Sequence, residues 1–283
     1  MTIAEGLMRF SVSGAPQPVL RWAGSKKRSL SHLLEYSPHN FNKYIEPFAG
    51  SACLFFNLTP TRAVLGDTNP HLMQFYSVAT RHPARVYNTF SNLKRNASTY
   101  YSVRDLYPSE SSAIKRAAYF FFLNRNCFNG IFRVNRNGQF NVPFSNSRVP
   151  DYPSKETFIK SMKHLAEAKL ACTDFVTVCN QNVRSGDFVY LDPPYYVPKQ
   201  RVFREYVPHD FDKADIQRLK LLLQTINDRG AYFLLNYPDC NMMRKIAAPW
   251  NSKCIQTRRT ISGKLSSRGN SPEILIYNFE RQQ

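Results

Sequence analysis

The chain contains no apolar run approaching the ~20 residues that cross a bilayer, so no membrane-spanning helix is expected. Its six cysteines, Cys53, Cys127, Cys172, Cys179, Cys240 and Cys254, never fall into C-x-x-C pairs. That scatter argues against a zinc site and against a disulfide framework. No metal is expected, and the thiols read as small buried apolar residues. Residues 1–14 have neither the basic leader nor the apolar core of a secretory signal, so the expected location is cytoplasmic. Internal repeats and low-complexity segments are missing as well. Acidic residues are scarce: 20 Asp plus Glu stand against 38 Lys plus Arg, a net charge of +18. A field of that sign favours a polyanionic partner. With no basic amphipathic helix or lipidation signal directing it to a membrane, the leading partner is nucleic acid.

What the chain does have is the patterning of an α/β protein. Its 283 residues, 43% of them hydrophobic, are enough for one large α/β domain or a domain carrying an insertion. Short strands are expected at 43–48 (KYIEPF) and 63–66 (AVLG), with a helix over 52–58 between them. The pattern returns in the C-terminal half with a strand at 188–191, a helix over 213–228 and a strand at 231–236. Strands alternating with helices imply a parallel, doubly wound sheet. The later helix has Asp212 as N-cap, Asp215 in its first turn and an apolar stripe of Ile216, Leu219, Leu222 and Leu223. A final strand at 273–279 is expected to pair antiparallel with one around 253–256, and a further strand is placed at 170–173. Between the halves, residues 70–152 change character: aromatics, Arg and Asn dominate, helices are expected at 83–96 and 113–124, and Asn137-Gly138 marks a hairpin. The expected division is a catalytic domain of 1–69 and 153–283, with 70–152 inserted.

One tetrapeptide carries chemistry. Asp192-Pro193-Pro194-Tyr195 follows the apolar run Phe188 to Leu191, where a buried strand would leave its sheet. A carboxylate, a Pro-Pro backbone offering carbonyls but no N–H groups and an aromatic face suit an exocyclic amino group on a flat ring. The amine of adenine is a poor nucleophile because its lone pair is delocalised into the ring. Asp192 and the Pro193 carbonyl would hold both N–H bonds and localise that lone pair, while Tyr195 stacks on the base. A plain strand-to-turn junction uses the same residues, since Asp-Pro and Pro-Pro are common turn formers. Upstream, Glu46-Pro-Phe-Ala-Gly50 closes the first strand and opens a helix, a place where glycine lets a ligand approach the backbone. Asp67 ends the second strand, where an acid accepts hydrogen bonds from ribose hydroxyls; a turn with a capping Asp reads the same way. Trp22 and Lys26 precede a helix and fit a core aromatic and a solvated lysine equally well.

Taken together these segments resemble the Dam-type, or D12-class, DNA adenine N6-methyltransferases over nearly the whole chain. Trp22-Ala-Gly-Ser-Lys26 is similar to the family's W-A-G-G-K, with Ser25 in place of one glycine. Glu46-Pro-Phe-Ala-Gly50 is similar to its cofactor loop, with Ala52 where the second glycine of F-x-G-x-G stands. Asn124 to Arg133, followed by Gly138 to Phe144, resembles its target-recognition segment. Asp192-Pro-Pro-Tyr195 matches the catalytic motif, and Arg258 to Ser262 with Pro272-Glu-Ile-Leu275 matches the C-terminal pattern.

The resemblance implies a Rossmann-like S-adenosylmethionine-dependent methyltransferase sheet with an inserted, mainly helical DNA-recognition domain containing a hairpin. It implies methylation of a flipped-out adenine in double-stranded DNA, within GATC, with Asp192, Pro193, Pro194 and Tyr195 as the catalytic residues. S-adenosylmethionine would be held by Trp22, Lys26, Phe48, Gly50, Asp67, Asp192 and the pair Asp174-Phe175. DNA would meet Arg125, Phe128, Asn129, Ile131, Arg133 and Pro143. Of these, Arg133 would read a guanine, with phosphate binding as the alternative role, Phe128 and Asn129 would fill the space the adenine leaves, and Ile131 and Pro143 would contact the rest of the site. Ser147 falls where close relatives carry a tyrosine that reads the outer base pair. A monomer is expected, and a cognate restriction endonuclease is a further candidate partner. Rival readings are an N4-cytosine methyltransferase, an RNA methyltransferase and a DNA-binding protein with an idle cofactor pocket; incubation with labelled S-adenosylmethionine and defined duplexes, followed by mass spectrometry of the modified base, separates them.

Overall fold

The computed structural model describes residues 15–147, 149–196, 211–258 and 270–280. Residues 1–14, and 259–262 of the C-terminal pattern, lie outside them. In chain order the described elements are α1 (Leu30–Glu35), β1 (Tyr44–Glu46), α2 (Cys53–Leu58), β2 (Ala63–Gly66), α3 (Pro70–Arg81), α4 (Pro83–Ser91), α5 (Ala97–Leu106), α6 (Ala113–Asn126), α7 (Lys155–Ala166) and β3 (Ala168–Ala171). They continue with α8 (Phe175–Asn182), β4 (Phe188–Leu191), α9 (Lys213–Asp228), β5 (Tyr232–Pro238), α10 (Asn241–Ala247), β6 (Asn251–Arg258) and β7 (Asn270–Tyr277).

The strands form one sheet in the order β3-β2-β1-β4-β5-β7-β6. Strand β1 pairs parallel with β2 and β4, and β4 parallel with β5, while β7 runs antiparallel to β5 and β6. Helices cover parallel strands on both faces, which is why β2 and β4 are wholly buried and read as continuous apolar runs. The strand order turns back between β1 and β4. Ligands of doubly wound sheets bind outside the carboxyl ends of the strands at such a reversal, and Glu46-Pro-Phe48 and Asp192 both leave the sheet there.

The chain divides into two compact units, one of residues 26–49, 60–68 and 171–283, the other of residues 1–25, 50–59 and 69–170. The core of the first is the apolar, mainly aliphatic layer of Ile45, Val64, Val189, Leu191, Leu219, Leu223, Phe233 and Leu235, all at most 3% exposed. Its helix α9 starts on a full capping box: Asp212 accepts from the Asp215 N–H and the Asp215 side chain accepts from the Asp212 N–H. The second unit is held by aromatic rings. Phe90 lies 4.2 Å from Phe121, and Phe158 lies 5.4 Å from both. That packing explains why α6 is buried from Ala117 to Asn126 except at Tyr119.

Several element boundaries differ from the sequence expectation. The strand expected at 43–48 stops at Glu46, because Pro47 has no N–H to continue the ladder. The helix expected over 83–96 ends at Ser91, and Asn96 caps the next helix, accepting from the Thr99 N–H at 2.8 Å. The strand expected at 170–173 occupies Ala168–Ala171. The scatter of cysteines predicts burial of all six, yet Cys240 is half-buried and Cys172 and Cys254 are exposed, Cys172 just beyond edge strand β3 and Cys254 on edge strand β6.

Candidate active site

Strand β4 is at most 1% exposed along its length, so it delivers Asp192 to the sheet edge with little freedom. The Asp192 carboxylate lies 2.8 Å from the Lys26 ammonium, with the two side chains 19% and 6% exposed. Lys26 Nζ also donates to the Tyr195 hydroxyl at 2.9 Å. The Tyr195 ring packs edge-on to Tyr237 at 5.3 Å, and the Tyr237 hydroxyl accepts from the Tyr196 N–H at 2.5 Å. Burial alone would lower the pKa of Lys26, but Asp192, with Tyr195 and Glu273 behind it, carries it above the ordinary lysine value. Burial pushes the Asp192 carboxyl up, against the pull of Lys26. The outcome is a buried ion pair, so removing either partner strands a charge. Pro193 and Pro194 then supply carbonyls without N–H groups.

Glu273, on β7, is a second buried carboxylate beside this group. It accepts from Ser29 Oγ at 3.3 Å and Asn236 Nδ2 at 3.0 Å. Sequence reasoning quoted Glu273 in a motif without a role and passed over Asn236; the signal was a lone Asn within the apolar run Tyr232 to Tyr237.

Around the carboxyl ends of β1 to β3 lies a second cluster in the same unit. The rings of Phe48 and Phe175 stack at 5.0 Å, and Phe211 approaches both, at 6.1 and 6.0 Å. Asp174 caps α8 by accepting from the Val176 N–H at 3.0 Å. It also pairs with Arg218 at 2.5 Å, whose guanidinium covers the Phe175 ring at 4.8 Å. Asp67 follows β2, half-buried, its N–H donating to the Ala171 carbonyl at 3.1 Å.

The other unit gathers Trp22, Gly50 and the Asn124 to Phe144 segment. Gly50 has φ +46, and a Cβ there would come within 2.8 Å of the Trp22 ring. The Gly50 carbonyl accepts from the Tyr76 hydroxyl at 2.7 Å. Ala52, standing where the family pattern has its second glycine, keeps the left-handed conformation that glycine favours, φ 53 and ψ 40. Trp22 stacks on Phe132 at 6.2 Å.

Arg21, absent from the sequence-based site, ties this segment down. Its N–H donates to Asn124 Oδ1 at 2.9 Å, the Asn124 amide donates back to the Arg21 carbonyl at 2.6 Å, and its guanidinium donates to the carbonyls of Arg125 and Cys127 at 3.2 and 3.1 Å. The Arg125 side chain is 8% exposed and donates to the carbonyls of Val19, Pro150 and Asp151. Burial and the neighbouring arginines Arg21 and Arg95 lower its pKa to about 10. Burial pushes the Cys127 thiol up to about 12, so it is a protonated core group at neutral pH. Phe128 is 50% exposed, Asn129 is left-handed at φ 54, and Phe128 N–H donates to the Pro143 carbonyl at 2.9 Å. Arg133 and Ile131 are half-buried, and Pro143 and Ser147 are exposed.

Residues 22–261 match the model of the family described as D12 class N6 adenine-specific DNA methyltransferase. The chain is 31% identical over 272 residues to the type II methyltransferase M1.LlaDCHI of Lactococcus lactis subsp. cremoris, covering 93% of this chain and 95% of that protein. It is 32% identical over 287 residues to the type II methyltransferase M.MjaIII of Methanocaldococcus jannaschii, covering 93% and 99%. A DNA adenine methylase of Serratia marcescens is 28% identical over 262 residues, covering 90% and 96%.

Proposed function

The chain belongs to the D12 class of N6 adenine-specific DNA methyltransferases, and from that membership we propose that it takes a methyl group from S-adenosylmethionine and places it on an adenine flipped out of duplex DNA, within GATC. The observation that carries the reading is the Lys26–Asp192–Tyr195 cluster at the end of β4, beside the reversal of strand order. The donor supplies an electrophilic methyl carbon. Residues of one unit fit it: Phe48 and Phe175 offer an aromatic wall and Asp67 an acceptor for ribose hydroxyls. By motif match alone we assign the donor to these residues with Trp22, Lys26, Gly50, Asp174 and Asp192.

Asp192 and the Pro193 carbonyl accept hydrogen bonds from the two N6–H groups, localise the lone pair and balance the positive charge that builds on nitrogen as the donor's carbon–sulfur bond breaks. The methylated amine then releases one of its two protons to solvent. Lys26 holds the carboxylate in place. Tyr195 stacks on the base, which must leave the duplex because N6 is unreachable inside a base pair. Pro194 stiffens the turn that aims both groups.

Residues 70–152 are our proposed target-recognition insertion. Phe128 and Asn129 enter the gap left by the adenine, Arg133 reads a guanine, and Ile131 and Pro143 contact neighbouring pairs. Arg125 supports this loop through the carbonyls it binds. The charge of +18 steers the protein to phosphates. No helix among the described residues is long and apolar enough to cross a membrane. We propose a cytoplasmic monomer working beside a restriction endonuclease of the same site, in keeping with the type II names of two relatives.

The test is incubation with labelled S-adenosylmethionine and defined duplexes, followed by mass spectrometry of the bases. N6-methyladenine confined to GATC is the expected product. Methyl on cytosine N4, or on adenine irrespective of sequence, refutes the reading.

A further inference from the structure

We infer that Asn141 is the residue that aims Arg133: it holds one edge of the guanidinium and leaves the other edge, with its charge intact, for a base. The inference rests on the reading of Arg133 as the guanine contact. Arg133 and Asn141 face each other across the hairpin bridged at Val134 and Phe140, and the Asn141 N–H donates to the Arg133 carbonyl at 3.1 Å. The side chains repeat the pairing. Arg133 Nε donates to Asn141 Oδ1 at 2.8 Å, and Arg133 Nη2 donates to the Asn141 carbonyl at 3.4 Å.

Nε and Nη2 form the side edge of the guanidinium, and both are directed at one residue. The end edge, Nη1 with the outer hydrogen of Nη2, is the one that can meet a pair of acceptors such as O6 and N7 of guanine. Asparagine does this without cancelling the charge, whereas aspartate would. The hairpin arm that carries Arg133 is also pinned on its opposite face. Phe132 packs against Trp22, His71, Phe120 and Phe140 at 5.2 to 6.2 Å between ring centres, so Arg133 must project to the other side. At the turn, Asn135 Oδ1 accepts from the N–H groups of Asn137 and Gln139, both at 3.0 Å, and Gly138 adopts φ +73. The arm is therefore set before DNA arrives, which reduces the side-chain freedom lost on binding.

The test compares kcat/KM on GATC duplexes and on duplexes altered at one base pair for Arg133→Ala, Asn141→Ala, the double variant and Asn141→Asp. Arg133→Ala is expected to lose discrimination at one base pair by roughly 5- to 150-fold. Asn141→Ala is expected to lose it at the same pair and to no greater extent. The double variant should discriminate no worse than Arg133→Ala, because the two side chains act as one unit. Asn141→Asp keeps discrimination through Oδ1 but binds every duplex more weakly, since the added charge offsets the guanidinium. Solvent exchange of the Arg133 Nε–H, followed by nitrogen-15 NMR, should be slow in the parent protein and fast in Asn141→Ala. If Arg133→Ala relaxes one pair while Asn141→Ala does not, or if the losses multiply in the double variant, the positioning role is overturned and the guanine reading stands. If Arg133→Ala loses activity evenly on all duplexes, the guanine reading and this inference fall together.

Discussion

Replacing Gly50 with alanine should damage both the stability of its unit and the binding of the methyl donor, by an amount the geometry sets. Gly50 has φ +46, and holding an L-residue in the left-handed region costs about 1–2 kcal/mol. The new Cβ would also lie 2.8 Å from Trp22 Cδ1 and 3.0 Å from Nε1, well inside the ~3.5–4 Å of ordinary carbon contacts. The indole must slide, loosening its stack on Phe132, a ring contact worth about 0.5–1.5 kcal/mol. A total loss of roughly 1.5–3.5 kcal/mol follows from these two contributions. Gly138→Ala is the control, because it has φ +73 but no atom within 4 Å of the new Cβ. It should lose only the backbone contribution of about 1–2 kcal/mol. Urea denaturation gives both values. Trp22 emission is read in a Trp250→Phe background, since Trp22 and Trp250 are the two tryptophans and Trp250 packs edge-on against Phe233, and calorimetry gives donor affinity. Equal losses in the two alanine variants, with unaltered Trp22 emission and donor affinity, would refute the packing of Trp22 over Gly50.

Three further perturbations address the reaction itself. Asp192→Asn should lower turnover on the order of 100-fold or more while duplex binding by gel shift persists; near-normal turnover sinks the acceptor role. Burial and the charge of Glu273 both raise the pKa of Asp192, and the ionised form is the active one. Activity should therefore fall on the acid side, and Glu273→Gln should move that limb of the kcat/KM profile to lower pH; a shift to higher pH, or none, contradicts the electrostatics. Phe128→Ala, at a half-exposed ring, should change stability by under about 0.5 kcal/mol but weaken flipping, read as a smaller fluorescence rise from 2-aminopurine at the target; an unchanged rise removes Phe128 from the gap.

Much of the sheet was legible from local pattern. The run Phe188 to Leu191 and the Asp-Pro-Pro-Tyr motif lie side by side in the chain, and helix α9 matched its expected range because its cap, Asp212 with Asp215, is three residues long in reach. Helix α3 went unrecognised although its signals were local too: Asn69 accepts from the His71 and Leu72 N–H groups, and Pro70 stands in the first turn. Helices α5 and α7 also went unrecognised although each carries a local cap, Asn96 accepting from the Thr99 N–H and Ser154 from the Thr157 N–H.

What the sequence by itself determined is the chemistry on offer: a basic chain, apolar strands alternating with amphipathic helices, and an acid followed by two prolines and a tyrosine. Only the tertiary structure decided which groups work together. Lys26 and Asp192 are 166 positions apart in the chain and Arg21 and Asn124 are 103 apart, and such pairings follow from strand order and crossover, which no spacing encodes. The fate of a charge is decided the same way. Arg125 and Arg133 look alike in a motif, yet burial ties the first to backbone carbonyls while the hairpin leaves one edge of the second free of Asn141. The reason is that desolvation and hydrogen-bond geometry act between neighbours in space, and those neighbours exist only once the chain has folded.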